Sequence, residues 1–296
     1  MGDAPRRAWR YLLVDVDGTL LDSRGAISPR NRRALRRAVD AGLTLVLASG
    51  RTYPSLLRVC GDLDVPYHLI TNGGAVGLSP HAGAVLYTSF LDADLWPEVA
   101  EALLREGLHA LVFSHRHPEH PLFYVASRNG HPHFEAYLAR NDAYCRVVPD
   151  LPGTAIDNVV EVAALGEGPA FDAASAKVLT AFRGRTRNHS MVLFINATFG
   201  KITEFFHPGS SKWHAFLGMF PDAAAHHERV IAIGDEANDL EMIRDSGYGI
   251  AMGNGTADLK AVADHVTADH DHDGVALALE DLLGVDAPMT ITESTP

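Results

Sequence analysis

Tyr11-Leu12-Leu13-Val14-Asp15-Val16-Asp17-Gly18-Thr19-Leu20-Leu21 is the stretch around which the chain is organised. Its first half is apolar on both faces and rich in large aliphatic residues, the pattern of a strand buried inside a parallel sheet. At its end it delivers two carboxylates, Asp15 and Asp17. In open α/β sheets ligands bind beyond the carboxyl ends of the strands. Two acids there, one residue apart, suit a hard divalent cation or a division of nucleophile and acid/base work. They equally suit a strand-end turn with solvated acids, and the stretch alone leaves these readings open.

Bulk composition narrows the class. The chain has 296 residues, 47% hydrophobic and 21% charged, with a net charge of −12. That length fits one large or two ordinary domains with a packed core. The negative charge argues against nucleic acid or an anionic membrane as partner, since both require a basic footprint. Two cysteines without a pairing motif, Cys60 and Cys145, fit a reducing compartment and small apolar packing. No apolar run of membrane-spanning length and no apolar signal segment in Met1–Arg10 are visible, so a soluble cytoplasmic protein is expected. Met1–Ala8 and Asp286–Pro296 read as frayed tails. No long apolar stripe marks an interface, and monomer and homodimer both stay open.

Working outward, Ser28-Pro29 opens a helix, Ser as cap and Pro in the first turn, that Gly42 ends. Its arginines, Arg32, Arg33, Arg36 and Arg37, sit at the spacing of a solvated face. Leu43–Ala48 is a second apolar strand ending in Ser49-Gly50-Arg51-Thr52, and Tyr67–Thr71 a third ending in Asn72-Gly73-Gly74. Helical connections between them make a βαβαβ unit. The rhythm then changes. A hairpin around Pro80–Gly83 leads into helices at Asp92–Glu106, His131–Arg140 and Phe171–Phe182. These alternate with strands at Leu108–Ser114, Leu122–Ala126, Tyr144–Val148, Asn158–Leu165, His189–Asn196 and Phe199–Phe206. This reads as an α+β layer on an antiparallel sheet. The last third returns to α/β, with the strand Val230–Ile233 ending in Gly234-Asp235-Glu236-Ala237-Asn238-Asp239. The expected fold is α/β. Residues 1–88 and 195–296 form a discontinuous core with a Rossmann-like, doubly wound parallel sheet, and 89–194 form an inserted α+β cap.

Four stretches carry chemistry: Asp15-Val16-Asp17-Gly18-Thr19, Ser49-Gly50-Arg51, Lys212, and Gly234 to Asp239. Each lies at a strand end or a helix start. Asp15, Asp17 and Asp235 supply hard oxygens suited to Mg²⁺, and without a cation three acids repel one another. Lys212 is a point charge for a phosphoryl oxygen. Ser49 and the Gly50 amide are donors to the same group. Acids, one Lys, a hydroxyl and free amides together describe phosphoryl transfer.

With these motifs in this order over essentially the whole chain, the sequence resembles the haloacid dehalogenase superfamily, specifically its Cof-like (subfamily IIB) phosphatases. The resemblance implies Mg²⁺-dependent hydrolysis of a small phosphate monoester, a sugar phosphate or similar metabolite, through an aspartyl-phosphate. Asp15 would be the nucleophile and Asp17 the general acid and then base. Asp15, Asp235 and the Asp17 carbonyl would ligate Mg²⁺. Thr19 would orient the loop, and Ser49 and Lys212 would hold the phosphoryl group. Asn238 would reach phosphate or a metal-bound water, and Asp239 would support Lys212 or the metal shell. A phosphomutase on the same scaffold and a non-catalytic phosphometabolite binder are the competing readings.

Two positions depart from the family pattern. Gly255 stands where an Ala is usual and is expected to loosen its loop. Glu236 stands where a small residue is usual, either facing solvent or adding charge beside the metal. Asn72-Gly73-Gly74 is a turn or a substrate contact. Gly253-Asn254-Gly255 lacks the third glycine of a dinucleotide loop. The histidines near 115–120, at 131 and 133, and in Asp269–Asp273 lack cysteine partners or an i, i+4 pair and read as polar loops rather than zinc sites. His115, Arg116, Arg128 and His131 are candidate contacts to the leaving group. Phe113 and Tyr124 fit a substrate contact or core packing, and Glu204 is expected in a surface or structural pair.

Overall fold

The computed structural model describes residues 9–115, 122–195 and 198–283. Arg116, His117 and His120, Asn196 and Ala197, and residues 1–8 and 284–296 lie outside the described residues. In chain order the first strands are β1 (Tyr11–Asp15), β2 (Thr44–Ala48), β3 (His68–Thr71), β4 (Val76–Ser79) and β5 (Ala84–Thr88). They alternate with α1 (Pro29–Asp40) and α2 (Tyr53–Cys60). The middle of the chain holds α3 (Leu95–Arg105), β6 (Ala110–Ser114), β7 (Phe123–Val125), α4 (Pro132–Arg140), β8 (Cys145–Val147), β9 (Val159–Gly166), α5 (Gly168–Ala181), β10 (Arg187–Ile195) and β11 (Thr198–Phe206). Then follow α6 (Lys212–Met219), α7 (Pro221–Ala225), β12 (Val230–Gly234), α8 (Leu240–Asp245), β13 (Tyr248–Ala251), α9 (Ala257–Val262), β14 (His265–Val266) and α10 (Gly274–Leu283).

The described chain divides into two compact units. One comprises residues 1–71, 78–84 and 216–296, the other 72–77 and 85–215. The first is built on parallel strands in the order β14-β13-β12-β1-β2-β3. β1 is central because all five of its residues are buried, as a strand covered on both faces requires. The α1 cap forms as its sequence dictates: Ser28 Oγ accepts from the Asn31 amide at 3.0 Å, Pro29 follows it, and such a cap is worth about 1 kcal/mol. Buried Asn31 ties α1 to α10 by accepting from the Ala276 amide at 3.0 Å. On the solvent side Arg32 pairs with Asp62 and Arg36 with Asp64. Cys60 is buried, and burial pushes its thiol up to about 12, so it packs as a small apolar residue. Cys145 is half-buried.

The second unit is a six-stranded sheet in the order β10-β11-β9-β6-β7-β8. Most of its ladders are antiparallel, but β7 and β8 pair in parallel, so the expected antiparallel sheet is in fact mixed. Nothing local in Cys145–Val147 announces that pairing. Val112, Val162, Ala164 and Phe205 face one side of the sheet and build a core with Leu95, Trp96, Val99 and Leu103 of α3 and Phe171 and Val178 of α5. Tyr124 belongs to this core and Phe113 packs on Phe123 and Tyr137. Both aromatics are therefore buried in the unit's packing.

Candidate active site

The turn after β1 is shaped for a crowded approach. Leu21 N–H closes it onto the Val16 carbonyl at 2.9 Å, and Gly18 adopts φ +79°. A Cβ on Gly18 would stand 2.3 Å from Asp235 Oδ2, so glycine is required there both by the left-handed backbone and by the neighbouring carboxylate. Thr19 Oγ1 donates to Asp235 Oδ1 at 2.9 Å in a fully buried contact. Asn254 Nδ2 donates to the Gly18 carbonyl at 2.8 Å and to Asp235 Oδ2 at 3.2 Å. The turn after β1 and the turn after β12 are thus stitched together through Asp235.

Asp239 braces that second turn: its Oδ2 accepts from the amides of Asp235 and Glu236, at 3.0 and 3.1 Å. Glu236 reciprocates by accepting the Asp239 amide, a capping box. The exposed Glu236 thus caps the turn. Gly234 makes room for this arrangement, since a Cβ there would lie 2.6 Å from the Asp239 carboxylate. Gly255 is a packing requirement rather than a source of looseness, because a Cβ would stand 2.9 Å from the Met252 carbonyl.

Asp15, Asp235 and Asp239 are all buried, and one carboxylate oxygen from each lies within 4.8 Å of the others. Three buried acids at this spacing fit a hard divalent cation, which wants oxygen ligands and removes their mutual repulsion. The Asp17 side chain lies outside this trio and turns to the end of β2. Ser49 Oγ donates to Asp17 Oδ2 at 3.0 Å, and Arg51 grips both Asp17 oxygens, Nε at 3.0 and 2.9 Å and Nη2 at 2.7 Å. Burial pushes the Arg51 guanidinium down, but its hydrogen bond to Asp17 and the Asp17 charge outweigh this and leave it raised. Arg51 and Asn254 were both in stretches singled out by the sequence, yet neither carried a role. Their partners are distant in the chain, and no local pattern names them.

Gly50 is half-buried, and a Cβ there would meet nothing within 4 Å. Asn238 is half-buried in the turn Ala237–Asp239. Asn72 and Lys212 belong to the second unit. Lys212, 1% exposed, is the first residue of α6. Asn72 is buried with φ +48° and donates to Glu161 at 2.8 Å. Of the candidate leaving-group contacts, Arg128 pairs with Asp142 and His131 Nδ1 accepts from the His133 amide. In the Asp269–Asp273 loop, Asp269 holds His272 and Asp271 accepts from the Ser23 amide.

Thr19→Val removes the hydroxyl that orients Asp235 while keeping the volume. Loss of such an outer partner typically weakens metal binding by about 10–100-fold. The Mg²⁺ concentration giving half-maximal thermal stabilisation is expected to rise accordingly, and an unchanged Mg²⁺ titration would remove Thr19 from the site's support.

The profile of the haloacid dehalogenase-like hydrolases matches residues 12–279. Among curated proteins, the 5-amino-6-(5-phospho-D-ribitylamino)uracil phosphatase YwtE of Bacillus subtilis is 25% identical over 290 residues, covering 93% of this chain and 98% of its own. The pyridoxal phosphate phosphatase YbhA of Escherichia coli is 26% identical over 273 residues, covering 90% and 96%. Among solved structures, a haloacid dehalogenase-like hydrolase from Bacteroides thetaiotaomicron superposes with a TM-score of 0.74 at 25% identity, over 93% of this chain and 99% of that one. Over nearly its whole described length, the chain belongs to the haloacid dehalogenase-like hydrolases.

Proposed function

We propose that the protein is a Mg²⁺-dependent phosphatase that hydrolyses a small phosphate monoester through an aspartyl-phosphate on Asp15. The observation that carries this reading is the separation of two carboxylates only two positions apart. Asp15 lies in the buried trio with Asp235 and Asp239, whereas Asp17 is held by Ser49 and Arg51. Environments that differ this much suit different roles.

Asp15, Asp235 and the Asp17 carbonyl would hold the cation, with Asp239 bracing the turn. The cation, when bound, supplies charge neutralisation for the phosphoryl oxygens. The Asp15 carboxylate attacks phosphorus and the ester P–O bond breaks. Asp17 is a carboxylate while Arg51 grips it; freed from that grip it takes up a proton, and this is the proton it gives to the departing alkoxide. As a carboxylate, Asp17 then takes a proton from the water that attacks the phospho-Asp15, which releases inorganic phosphate and restores both acids. Arg51 holds Asp17 between turnovers. Ser49, the Gly50 amide and Lys212 bind phosphoryl oxygens, while Asn72 and Asn238 contact the substrate or its phosphate.

YwtE and YbhA are named for phosphate esters of small metabolites, which supports a sugar phosphate or a phosphorylated cofactor as the substrate class. A panel of such esters, scored by kcat/KM with inorganic phosphate measured, tests the reading. One phosphate released per turnover is expected. Isomer formation without release would make the protein a mutase, and binding without turnover would make it a sensor.

A further inference from the structure

Two buried acids in the second unit are outside the chemistry described so far. Glu161, 2% exposed, interrupts the otherwise apolar strand β9, and Glu204, 5% exposed, lies on the neighbouring β11. Of the surface or structural pair expected for Glu204, the structural one forms, buried and with His189. The ladder places Glu204 opposite Ala163 and opposite His189. Because side chains alternate across a strand, Glu161, Glu204, Phe206 and His189 share one face of the sheet. With Glu204 opposite Ala163, two positions on from Glu161, the two buried side chains lie diagonally on that face. Two neighbouring carboxyls buried on one face repel when both are ionised, and a proton on one removes that repulsion. Asn72 Nδ2 donates to Glu161 Oε2 at 2.8 Å, and His189 Nε2 lies 2.9 Å from Glu204 Oε2. Asn72 thus holds the first acid and His189 the second.

Asn72 leads on to Lys212. Asn72 itself holds φ +48°, a left-handed conformation that asparagine adopts more readily than most residues with a side chain. The next residue, Gly73, lies against the Phe206 ring, where a Cβ would come within 3.0 Å. Gly74, at φ +105°, lies against the start of α6: a Cβ would stand 2.2 Å from the Ser211 carbonyl carbon and 2.7 Å from the Lys212 nitrogen. The Ala75 amide closes the turn on the Asn72 carbonyl at 2.9 Å. No slack separates the Asn72 side chain from the backbone of Lys212.

We propose that Glu161 and Glu204 share one proton and act as positioning residues, fixing Asn72 and, through the 72–74 turn, the backbone at Lys212. The positioning half rests on the phosphate-binding role given to Lys212 above; the shared proton does not. Burial, and after it the Glu204 charge, push the Glu161 carboxyl well above the ordinary range, against the opposing pull of the Asn72 hydrogen bond. Around the pair, β10 presents His189 and, opposite Phe206, Arg187, while β6 places Phe113 opposite Glu161. Because the folded value is raised, the stabilisation is complete at pH below the ordinary Glu range. It is lost as pH rises through the raised value.

Three measurements on the full chain test this. With ¹³C-labelled glutamate, infrared spectra at neutral pH should show a protonated buried carboxyl that disappears in Glu161→Gln; a wild type without that band overturns the shared proton. As pH rises above the ordinary Glu range, thermal midpoints should fall more steeply in the wild type than in Glu161→Gln, which cannot ionise; equal slopes throughout overturn it as well. With Mg²⁺ present, inorganic phosphate should bind Glu161→Gln within about twofold of the wild type. Glu161→Leu, which gives Asn72 no acceptor, should bind it about tenfold more weakly, the scale of one buried hydrogen bond. Wild-type affinity in a folded Glu161→Leu protein overturns the positioning role. If that variant does not fold, a tenfold loss in Glu161→Gln would overturn it instead. A Lys212→Ala variant that binds phosphate normally would strike the phosphatase reading and leave the infrared result standing.

Discussion

Asp15→Asn is expected to abolish turnover of an aryl phosphate at saturating Mg²⁺. Loss of a nucleophile typically costs on the order of 10⁴-fold or more in kcat. The substitution is nearly isosteric at a buried position that ends the central strand. It removes one of three carboxylates gathered within 4.8 Å, so in metal-free protein it relieves repulsion rather than adding it. The circular dichroism spectrum and the metal-free thermal midpoint should therefore match or exceed those of the wild type. A folded variant with wild-type turnover would place the nucleophile elsewhere and leave the acid trio with a purely metal-holding role.

Chelation with EDTA is expected to silence the wild type, and Mg²⁺ to restore it. The same experiment has a readout independent of catalysis. Anything that binds only the folded state stabilises it by mass action, about 2.7 kcal/mol at a hundredfold excess over Kd. The thermal midpoint should rise with Mg²⁺ in the wild type, and less at equal concentration in Asp235→Asn, whose side chain Thr19 and Asn254 otherwise hold in place. Activity that survives chelation would remove the cation from the reaction. A midpoint indifferent to Mg²⁺ would remove it from the trio.

Local signals made the framework legible. Apolar runs ending in small polar residues gave β1, β2, β3 and β12, because a strand covered on both faces must be apolar throughout. Ser28-Pro29 marked α1 because capping chemistry acts within one turn. What escaped was short or non-local. The two-residue β14 and the five-residue α7 are too brief to carry a period. The parallel β7–β8 ladder depends on partners, not on composition. In the first unit, residue types and spacing announced Asp15, Asp17, Asp235 and Ser49, which folding brings into the trio and the Asp17 clamp. The clamp of Arg51 on Asp17, the bridge from Asn254 to Gly18 and the capping by Glu236 are contacts made by folding. Glu161 did leave a trace: an acid within Val159-Val160-Glu161-Val162-Ala163-Ala164 has to be buried, and a buried acid needs a partner.

The placement of β1 between β2 and β12, with Tyr11 beside both Thr44 and Val230, has a consequence for synthesis. When the first three strands leave the ribosome, one edge of β1 has no partner, and it gains one only after β12 is made. Until then an apolar strand presents an open ladder of amides and carbonyls, the template on which chains pair with one another. Parallel pairing across so long a separation is also slow, because loop closure must precede the contacts that reward it. The nascent protein is thus most prone to self-association in the interval between emergence of the strand that ends in Asp15 and arrival of the strand that leads to Asp235. Chains truncated before Val230 would retain that open edge permanently.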